Sequence, residues 1–231
     1  MVVLGINTST LQGSVALMGE RGLISEYFLN VEVTHSERLL PSIDLLMQDA
    51  RLDFQELSGI AVAIGPGSFT GLRIGLASAK GLALASSLPL FGIPTLEAMA
   101  RNLPFCGYPI CSMLNARKRE VYWALYRLEG EKLMQTGKEA VGPPEEVVNQ
   151  IKETTVFLGD GAVDFADLIR KILKEKAIFA PLSFRDVRAS VVAEMGMERL
   201  RRGERDDLAA LVPRYLRRSE AEIKWGIKIR D

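Results

Sequence analysis

The stretch AIGPGSFTGLRIG, residues 63–75, places four glycines, one proline and one arginine between two apolar runs. The run before it, GIAVAIG at residues 59–65, is apolar without alternation, which is typical of a strand covered on both faces in a parallel sheet. Residues 72–87 after it are predicted to be a helix rich in Ala, Gly and Ser. A strand, a glycine-rich turn and a helix can together bind an anion through backbone N–H groups, so a phosphate site is the first hypothesis.

The detailed phosphate-binding patterns do not fit this turn. A P-loop requires Gly-Lys followed by Ser or Thr, and neither Gly65 nor Gly67 leads to that sequence. A dinucleotide fingerprint requires a third glycine where Thr70 stands, and the next acid that could hold a ribose is Glu97. We therefore expect the glycines to shape a strand-to-helix turn; they are Gly65, Gly67, Gly71 and Gly75.

The helix after the turn carries small residues at a spacing of four. Gly71, Gly75 and Ala79 form one such set, and Ala77 and Gly81 form another. Because glycine inside a helix costs about 1 kcal/mol relative to alanine, close approach of another backbone is indicated, from either the chain's own sheet or another subunit. Arg73 is predicted in the first helical turn, where the helix dipole disfavours a cation, so an acid or a buried carbonyl is expected beside it.

Composition places the chain among ordinary globular proteins. Its 231 residues are 48% apolar and 25% charged, and 29 basic residues balance 29 acidic ones, so any contact with nucleic acid must be local. The two cysteines, Cys106 and Cys111, fit neither a zinc motif nor a disulfide framework, which favours a reducing compartment. No basic leader and no apolar run of about 20 residues is present, so a soluble, cytoplasmic protein without membrane contact is expected.

Two halves of the chain follow similar patterns. Residues 2–29 predict an antiparallel meander of three strands, followed by a helix that opens at Thr34 and is expected to bend at Pro41. A proline-rich stretch at 101–109 predicts a boundary, giving domains at 1–103 and 104–231. Strands, helices and a further strand recur after it, and Asn7 and Asn115 occupy equivalent strand ends. An internal repeat is indicated, although the matching residues alone are weak evidence for it.

Catalytic patterns are scarce. His35 is the single histidine, so no histidine-based metal cluster can form, and a capping or interface role is the alternative. Asn7 and Asn115 stand where a phosphate-handling hairpin would carry a metal-binding aspartate, and asparagine is a weak magnesium ligand. The loop GDGA at 159–162 is interpreted as a tight turn. Basic residues cluster in ARKRE at 116–120 and near the end of the chain, as a solvated face or as contacts to RNA or an acidic partner; these residues are Arg117, Lys118, Arg214, Arg217 and Arg218.

Several segments together resemble the TsaB family, also called YeaZ. They are LGINTST, THSERLLPSID, GPGSFTGLRIG, NARKREVYWALY, LGDGA and PRYLRRSEAE, and they span nearly the whole chain. The resemblance implies an α/β fold of the actin-like, sugar-kinase-like (ASKHA) type, with two related subdomains and mixed sheets. It also implies a role in forming N6-threonylcarbamoyladenosine beside the anticodon of tRNAs that read codons beginning with adenine.

The resemblance implies an accessory subunit rather than an enzyme. TsaB proteins bind TsaD, which holds the metal and the active site, and a small ATPase, TsaE, joins them; tRNA is met through the complex. No cofactor is therefore expected on this chain, ATP and a metal ion are expected in the partner subunits, and a homodimer is expected when the chain is alone. Asn7 and Asn115 replace aspartates that are usual in the family, which further weakens the case for ATP hydrolysis here.

The same resemblance predicts a partner interface on the helix that opens at Thr34 and on the helix after the turn, packed on TsaD as a four-helix bundle. The residues chosen for it are His35, Arg38, Ser42, Leu72, Arg73, Leu76, Ala79 and Lys80. Substitution of Ala79 by glutamate is predicted to abolish the heterodimer without harming the fold. The alternatives are an actin-fold small-molecule kinase or ATPase, and a regulatory homodimer.

Overall fold

The computed structural model describes residues 1–30 and 35–217, which form eleven strands and seven α-helices. The first half contains β1 (Val2–Asn7), β2 (Gly13–Gly19), β3 (Gly22–Leu29), α1 (His35–Ala50), β4 (Gly59–Gly65), α2 (Phe69–Ser86), β5 (Leu90–Pro94) and α3 (Thr95–Ala100). The second half contains β6 (Ile110–Asn115), β7 (Val121–Glu129), β8 (Lys132–Gln135), β9 (Ala140–Gly142), α4 (Pro144–Gln150), β10 (Thr155–Leu158), α5 (Asp160–Asp164), α6 (Ala166–Leu173), β11 (Ala177–Phe179) and α7 (Ala189–Arg201).

Two mixed sheets repeat one topology. The first has the order β3-β2-β1-β4-β5, with β1, β2 and β3 antiparallel and β4 and β5 parallel to β1. The second has the order β11-β10-β6-β7-β8, with β9 added beside β7. Because β6, β7 and β8 are antiparallel and β10 and β11 run parallel to β6, the second sheet reproduces the order of the first. The predicted meander and the predicted repeat are confirmed.

The first sheet is covered on both faces, as the unbroken apolar run of β4 predicts. Leu4 and Ile6 of β1 point to a core shared with α1 and α2. Val3 points to the opposite core, which contains residues of α3, α7 and the second sheet. The contact with α7 is very close, since a Cβ on Gly5 would lie 2.1 Å from the carbonyl oxygen of Ala189. Helices α1 and α2 therefore form an outer layer of the molecule.

Some boundaries differ from the sequence-based expectation. Helix α2 begins at Phe69 rather than residue 72, because the Ser68 hydroxyl accepts a hydrogen bond from the Gly71 N–H and caps the helix three residues earlier. The GDGA loop leads directly into α5 rather than forming only a turn. Pro41 lies inside α1, where the expected bend remains a prediction, and Thr34 lies outside the described residues.

The predicted domain boundary at residue 103 separates the strands of the two sheets in sequence. Helix α7 follows that boundary, yet it packs against β1, β2 and β4 of the first sheet. The division into 1–103 and 104–231 therefore remains a prediction. Within the described part of the chain, no helix is long and apolar enough to cross a bilayer.

Candidate functional site

The signature turn between β4 and α2 is closed against the loop after β1. Gly65 has a φ of +122°, a conformation that favours glycine, and its N–H donates to the Thr95 hydroxyl at 3.0 Å. The Ser68 N–H donates to the Ser9 carbonyl at 2.7 Å, and a Cβ on Gly67 would lie 2.2 Å from that same oxygen. Because these N–H groups are hydrogen-bonded within the chain, the turn does not offer them to a phosphate.

The first set of small residues on α2 faces the chain's own sheet. A Cβ on Gly71 would lie 2.0 Å from the Thr8 carbonyl oxygen, and one on Gly75 would lie 2.2 Å from the Thr8 hydroxyl. Ala79, in the same row, is 0% exposed. The close approach indicated by the sequence is therefore internal packing on the loop after β1 and on β4.

Three of the residues predicted for a partner interface are excluded by this packing. Leu72, Leu76 and Ala79 are buried against the first sheet, so a protein docking on the outside of α2 cannot touch them. A glutamate in place of Ala79 would enter the core, and its predicted selective effect on partner binding is withdrawn. The remaining chosen residues are at least partly accessible; they are His35, Arg38, Ser42, Arg73 and Lys80.

Among the described residues, Arg73 interacts with two aromatic rings and not with an acid or a carbonyl. Its guanidinium carbon lies 3.8 Å from the centroid of the Phe69 ring, and its Nε donates to the Tyr215 hydroxyl at 2.9 Å. The Phe69 and Tyr215 rings stack with centroids 4.8 Å apart. Since α2 begins at Phe69, Arg73 lies in the second helical turn, where the dipole penalty argued from the sequence is smaller. The ring faces stabilise the cation.

Tyr215 belongs to a segment, residues 204–217, that we call the C-terminal strap. The strap starts beside β5, where Asp206 accepts hydrogen bonds from the Gly92 N–H at 2.7 Å and from both terminal nitrogens of Arg199 at 2.8 Å. It then passes the end of β4, where the Arg214 N–H donates to the Ile64 carbonyl at 2.7 Å. The signature helix thus holds a segment that lies about 140 residues away in sequence.

The far end of the strap is attached to the second sheet. Arg214 pairs with Glu139 at 3.3 Å, and Arg217 donates to the Glu120 carboxylate at 2.7 Å and to the Ala116 carbonyl at 3.2 Å. Burial raises the pKa of Glu139, although Arg214 favours the charged carboxylate. The charges of Arg214 and Arg217 are therefore balanced by Glu139 and Glu120, and both arginines have a structural role in holding the strap. Arg218 lies outside the described residues.

Arg117 and Lys118 remain at the surface. With Arg119 they form the tip of the β6–β7 hairpin, and all three side chains are exposed. Their φ angles are 62°, 51° and 59°, so three consecutive residues other than glycine occupy the left-handed region.

The asparagines at the equivalent strand ends are used in internal hydrogen bonds. Asn7 is fully buried; its amide donates to the Val187 carbonyl at 3.1 Å and accepts from the Ser9 hydroxyl at 2.6 Å. The Asn115 amide donates to Asp164 at 2.5 Å and accepts from the Arg117 N–H at 2.6 Å. Within residues 1–30 and 35–217, no group of three or more His, Cys, Asp and Glu side chains is arranged to hold a metal ion.

Asp160 fastens the start of α5 to the end of β6. Its carboxylate accepts hydrogen bonds from the N–H groups of Asn115 at 2.9 Å and of Gly161 at 2.8 Å. Burial raises the pKa of Asp160 despite these two hydrogen bonds. Asp160 therefore stabilises the base of the β6–β7 hairpin.

Three of the predicted interface residues line a groove at the start of α1. His35, Arg38 and Ser42 line it together with residues of the β1–β2 loop and Tyr27. A ring nitrogen of His35, Nε2, lies 2.7 Å from the Thr10 carbonyl, so His35 fastens α1 to that loop. The structure does not bring this groove together with Arg73, which is fixed to the strap instead.

The sequence-based choice missed the outward surface of the two helices. We define the α1–α2 outer face as Leu40, Leu45, Ala77, Gly81 and Leu84. Leu84 is 75% exposed, and Leu40 and Leu45 are 51% and 47% exposed. A Cβ on Gly81 would meet no atom of the described residues within 4 Å. The second set of small residues in the sequence, Ala77 and Gly81, was the signal that marked this face.

Comparison with known proteins identifies relatives along nearly the whole chain. The family model described as TsaD, tRNA N6-adenosine threonylcarbamoyltransferase, matches residues 29–225. The Bacillus subtilis protein named tRNA threonylcarbamoyladenosine biosynthesis protein TsaB is 33% identical, over 97% of this chain and 98% of that protein. The Escherichia coli protein of the same name is 32% identical, over 78% of this chain and 82% of that one.

Solved structures agree with the expected fold. YeaZ from Pseudomonas aeruginosa superposes with a TM-score of 0.79 and 27% identity, covering 93% of this chain and 99% of that one. A ROK hexokinase from Thermus thermophilus, at 11% identity and a TM-score of 0.50 over 86% of this chain and 99% of that one, shares the fold alone. The actin-like, sugar-kinase-like architecture is thereby confirmed. The chain belongs to the TsaB family of tRNA threonylcarbamoyladenosine biosynthesis proteins, and it shares the TsaD family model.

Proposed function

We propose that the chain is a binding subunit that docks a TsaD-type protein on its α1–α2 outer face and carries no active site of its own. The exposed residues of the two helices carry the proposal: Leu40 and Leu45 of α1 and Leu84 of α2 are exposed, and Ala77 and Gly81 are exposed small residues of α2. Apolar side chains clustered on an exposed surface are typical of a protein-binding site. Small residues at a spacing of four let a second helix approach closely.

Gly81 is the most informative residue of this face. Glycine in the interior of a helix costs about 1 kcal/mol relative to alanine, and no neighbour within residues 1–30 and 35–217 requires the missing methyl group. At Gly71 and Gly75, by contrast, a Cβ atom would clash with Thr8, so glycine is needed there. A partner helix that crosses α2 at Gly81 gives a physical reason for a glycine that the described part of the chain does not explain.

The polar residues of the strand ends support the non-catalytic part of the proposal. Asn7 and Asn115 each make hydrogen bonds through both ends of the amide, which commits them to holding loops in place. ATP and a metal ion are accordingly proposed to act in the partner subunits, with a TsaE-type ATPase joining the pair in the cytoplasm. The substrate proposed for the assembly is adenosine beside the anticodon in tRNAs that read codons beginning with adenine.

Reconstitution tests this function. The purified chain is expected neither to hydrolyse ATP nor to modify tRNA, and addition of its TsaD and TsaE counterparts is expected to yield threonylcarbamoyladenosine. Counterparts that modify tRNA equally well without the chain would contradict the accessory role. Modification by the chain alone, supplied with threonylcarbamoyl-adenylate, would contradict the absence of an active site.

Two further measurements separate the alternatives. Calorimetry with Mg-ATP is expected to show no binding by the isolated chain, whereas tight magnesium-dependent binding would favour a small-molecule kinase or ATPase. Molecular mass as a function of concentration is expected to show a homodimer that dissociates when the TsaD counterpart is added. A homodimer that persists would favour a separate regulatory module.

A further inference from the structure

The outer half of the strap, residues 212–217, lies on the molecular surface, unlike the inner half. Leu208 and Leu211 of the inner half pack against the core that the first sheet shares with α1 and α2. Val212 and Tyr215 of the outer half are 64% and 39% exposed. The inner half is therefore anchored by burial, whereas the outer half presents apolar and aromatic side chains to the outside.

Tyr215 lies at the N-terminal end of an exposed stripe of α2. The stripe consists of Arg73, Ala77, Gly81 and Leu84, which are all exposed and follow one another at spacings of four, four and three, so they share one side of the helix. Its last three members belong to the α1–α2 outer face, and the first donates a hydrogen bond to the Tyr215 hydroxyl at 2.9 Å. The proposed partner-binding face is therefore continuous with the outer half of the strap.

The α1–α2 outer face is too small to be a complete interface. A stable protein–protein contact buries about 800 Å² on each partner and involves about 20–30 residues of each. The outer face as defined above has five residues. Arg73 lies eight residues before Gly81, which is about 12 Å along the helix axis. An interface of ordinary size that includes Gly81 thus has the reach to cover Arg73 and the tyrosine ring beside it.

The start of α2 and the strap supply residue types that interfaces favour. Aromatic residues and arginine are enriched in protein interfaces, and Tyr and Arg are enriched among the residues that contribute most to binding. The Tyr215 ring stacks on Phe69 with centroids 4.8 Å apart, and the Arg73 guanidinium lies 3.8 Å from the Phe69 centroid. Because these contacts already hold the Tyr215 ring in place, its burial by a partner costs little further side-chain ordering.

We infer that the outer half of the strap extends the partner-binding face of α2, with the Tyr215 ring in contact with the TsaD-type partner. The inference rests on the proposed function, since it takes the same partner and the same side of α2. The partner group that suits this site is an apolar or aromatic side chain packed on the exposed part of the ring. A second copy of this chain is the competing occupant, and the experiment distinguishes the two.

The test compares three variants of the full chain by calorimetric titration with the TsaD counterpart. Tyr215→Ala removes the ring. Tyr108→Ala is the matched control, because Tyr108 is 49% exposed on the segment before β6. Glu120→Gln removes the ion pair with Arg217 at the far end of the strap and leaves the ring in place. Circular dichroism verifies that each variant is folded, and the molecular mass of each isolated variant is measured as a function of concentration.

Tyr215→Ala is expected to raise the Kd for the TsaD counterpart at least about ten-fold, which is typical of the loss of an interface tyrosine that contributes strongly to binding. Tyr108→Ala and Glu120→Gln are expected to stay within about two-fold of wild type. In the wild-type chain, partner binding is expected to slow amide hydrogen exchange of residues 212–217 at least about ten-fold. The exchange measurement does not depend on the folding of any variant.

Four outcomes would overturn the inference. They are wild-type affinity in the folded Tyr215→Ala protein, an equal loss in Tyr108→Ala, an equal loss in Glu120→Gln, and unchanged exchange of residues 212–217 on binding. An equal loss in Glu120→Gln would mean that attachment of the strap, and not contact with the ring, affects the partner. Wild-type affinity of Tyr215→Ala together with a weakened homodimer would assign the ring to a second copy.

The proposed function can fail independently of this inference. A wild-type chain that does not bind its TsaD counterpart would contradict the proposed function, and so would wild-type affinity in Ala77→Glu. Loss of binding in Ala77→Glu but not in Tyr215→Ala would contradict the inference alone.

Discussion

Arg73 and Tyr215 are joined by a hydrogen bond of 2.9 Å between the guanidinium Nε and the phenol oxygen, although 142 residues separate them in sequence. Phe69 completes the contact, with the Tyr215 ring stacked on it and the Arg73 guanidinium over its face. The most specific motif of the sequence therefore binds the C-terminal strap. Because the strap also pairs with Glu120 and Glu139, the motif helps to tie the two sheets together.

Two substitutions separate the contribution of the Tyr215 ring to stability from that of its hydroxyl. Tyr215→Phe removes only the hydrogen bond and is expected to lower the free energy of unfolding by about 1 kcal/mol. Tyr215→Ala also removes the aromatic stack and the cation–π contact, so a loss of about 2 kcal/mol is expected. Urea denaturation measures both values, and amide hydrogen exchange in residues 204–217 locates the change. Equal losses in the two variants would show that the stack contributes nothing.

Asp206 should make the strap sensitive to acid. Burial opposes the charged form, but hydrogen bonds from Arg199 and from the Gly92 N–H outweigh it and lower the pKa of Asp206. A group whose pKa is lower in the folded state contributes stability that is present above its unfolded pKa, about 3.9, and lost as pH falls through the folded value. The contribution of Asp206 should therefore be constant near neutral pH and decline below about pH 4.

The variant Asp206→Asn isolates this contribution. The difference in free energy of unfolding between wild type and Asp206→Asn is expected to be positive at pH 7 and to shrink as the pH is lowered below about 4. Urea denaturation across that range measures the difference directly. A difference that stayed constant with pH would mean that the ionised carboxylate does not hold the strap.

Two glycines of α2 should respond to alanine in opposite directions. Gly71→Ala places a methyl group against the Thr8 backbone, which cannot move aside, and is expected to lower the free energy of unfolding by about 1–3 kcal/mol. Gly81→Ala meets open space and is expected to raise it by about 0.5–1 kcal/mol. Thermal and urea denaturation of the isolated chain measure both. If Gly71→Ala were as stable as wild type, the close packing of α2 on the loop after β1 would be wrong.

The sequence predicted the strands and the repeat well because periodicity and turn residues are local signals. β4 was predicted at its observed bounds, and the equivalence of Asn7 and Asn115 at two strand ends is reproduced by the topology. The direction of each α2 side chain was harder to predict. Gly71, Gly75 and Ala79 have the spacing of a helix contact, but spacing alone does not distinguish the chain's own sheet from another protein.

The partner of Arg73 could not be predicted from local sequence. Tyr215 approaches it only because the strap passes β5 and the end of β4, an arrangement that depends on Asp206, Arg199 and the backbone of Ile64. The dipole argument also assumed a later helix start, whereas the Ser68 cap moves Arg73 into the second turn. Long-range packing determined both of these features.

The outward face of α2 is tested most directly by two neighbouring alanines. Ala77 is exposed and Ala79 is fully buried, so the same substitution probes the two sides of one helix. Ala79→Glu places an uncompensated carboxylate in the core and is expected to cost about 3–5 kcal/mol of folding stability. Ala77→Glu is expected to leave the thermal midpoint of the isolated chain nearly unchanged.

The decisive measurement is calorimetric titration of the TsaD counterpart with wild type and with Ala77→Glu. The account predicts that Ala77→Glu, although folded, loses at least about 2 kcal/mol of binding free energy, which is roughly a 30-fold rise in Kd, because a charge is introduced on the proposed partner-binding face. Wild-type affinity in the folded Ala77→Glu protein would contradict the claim that this face binds the partner.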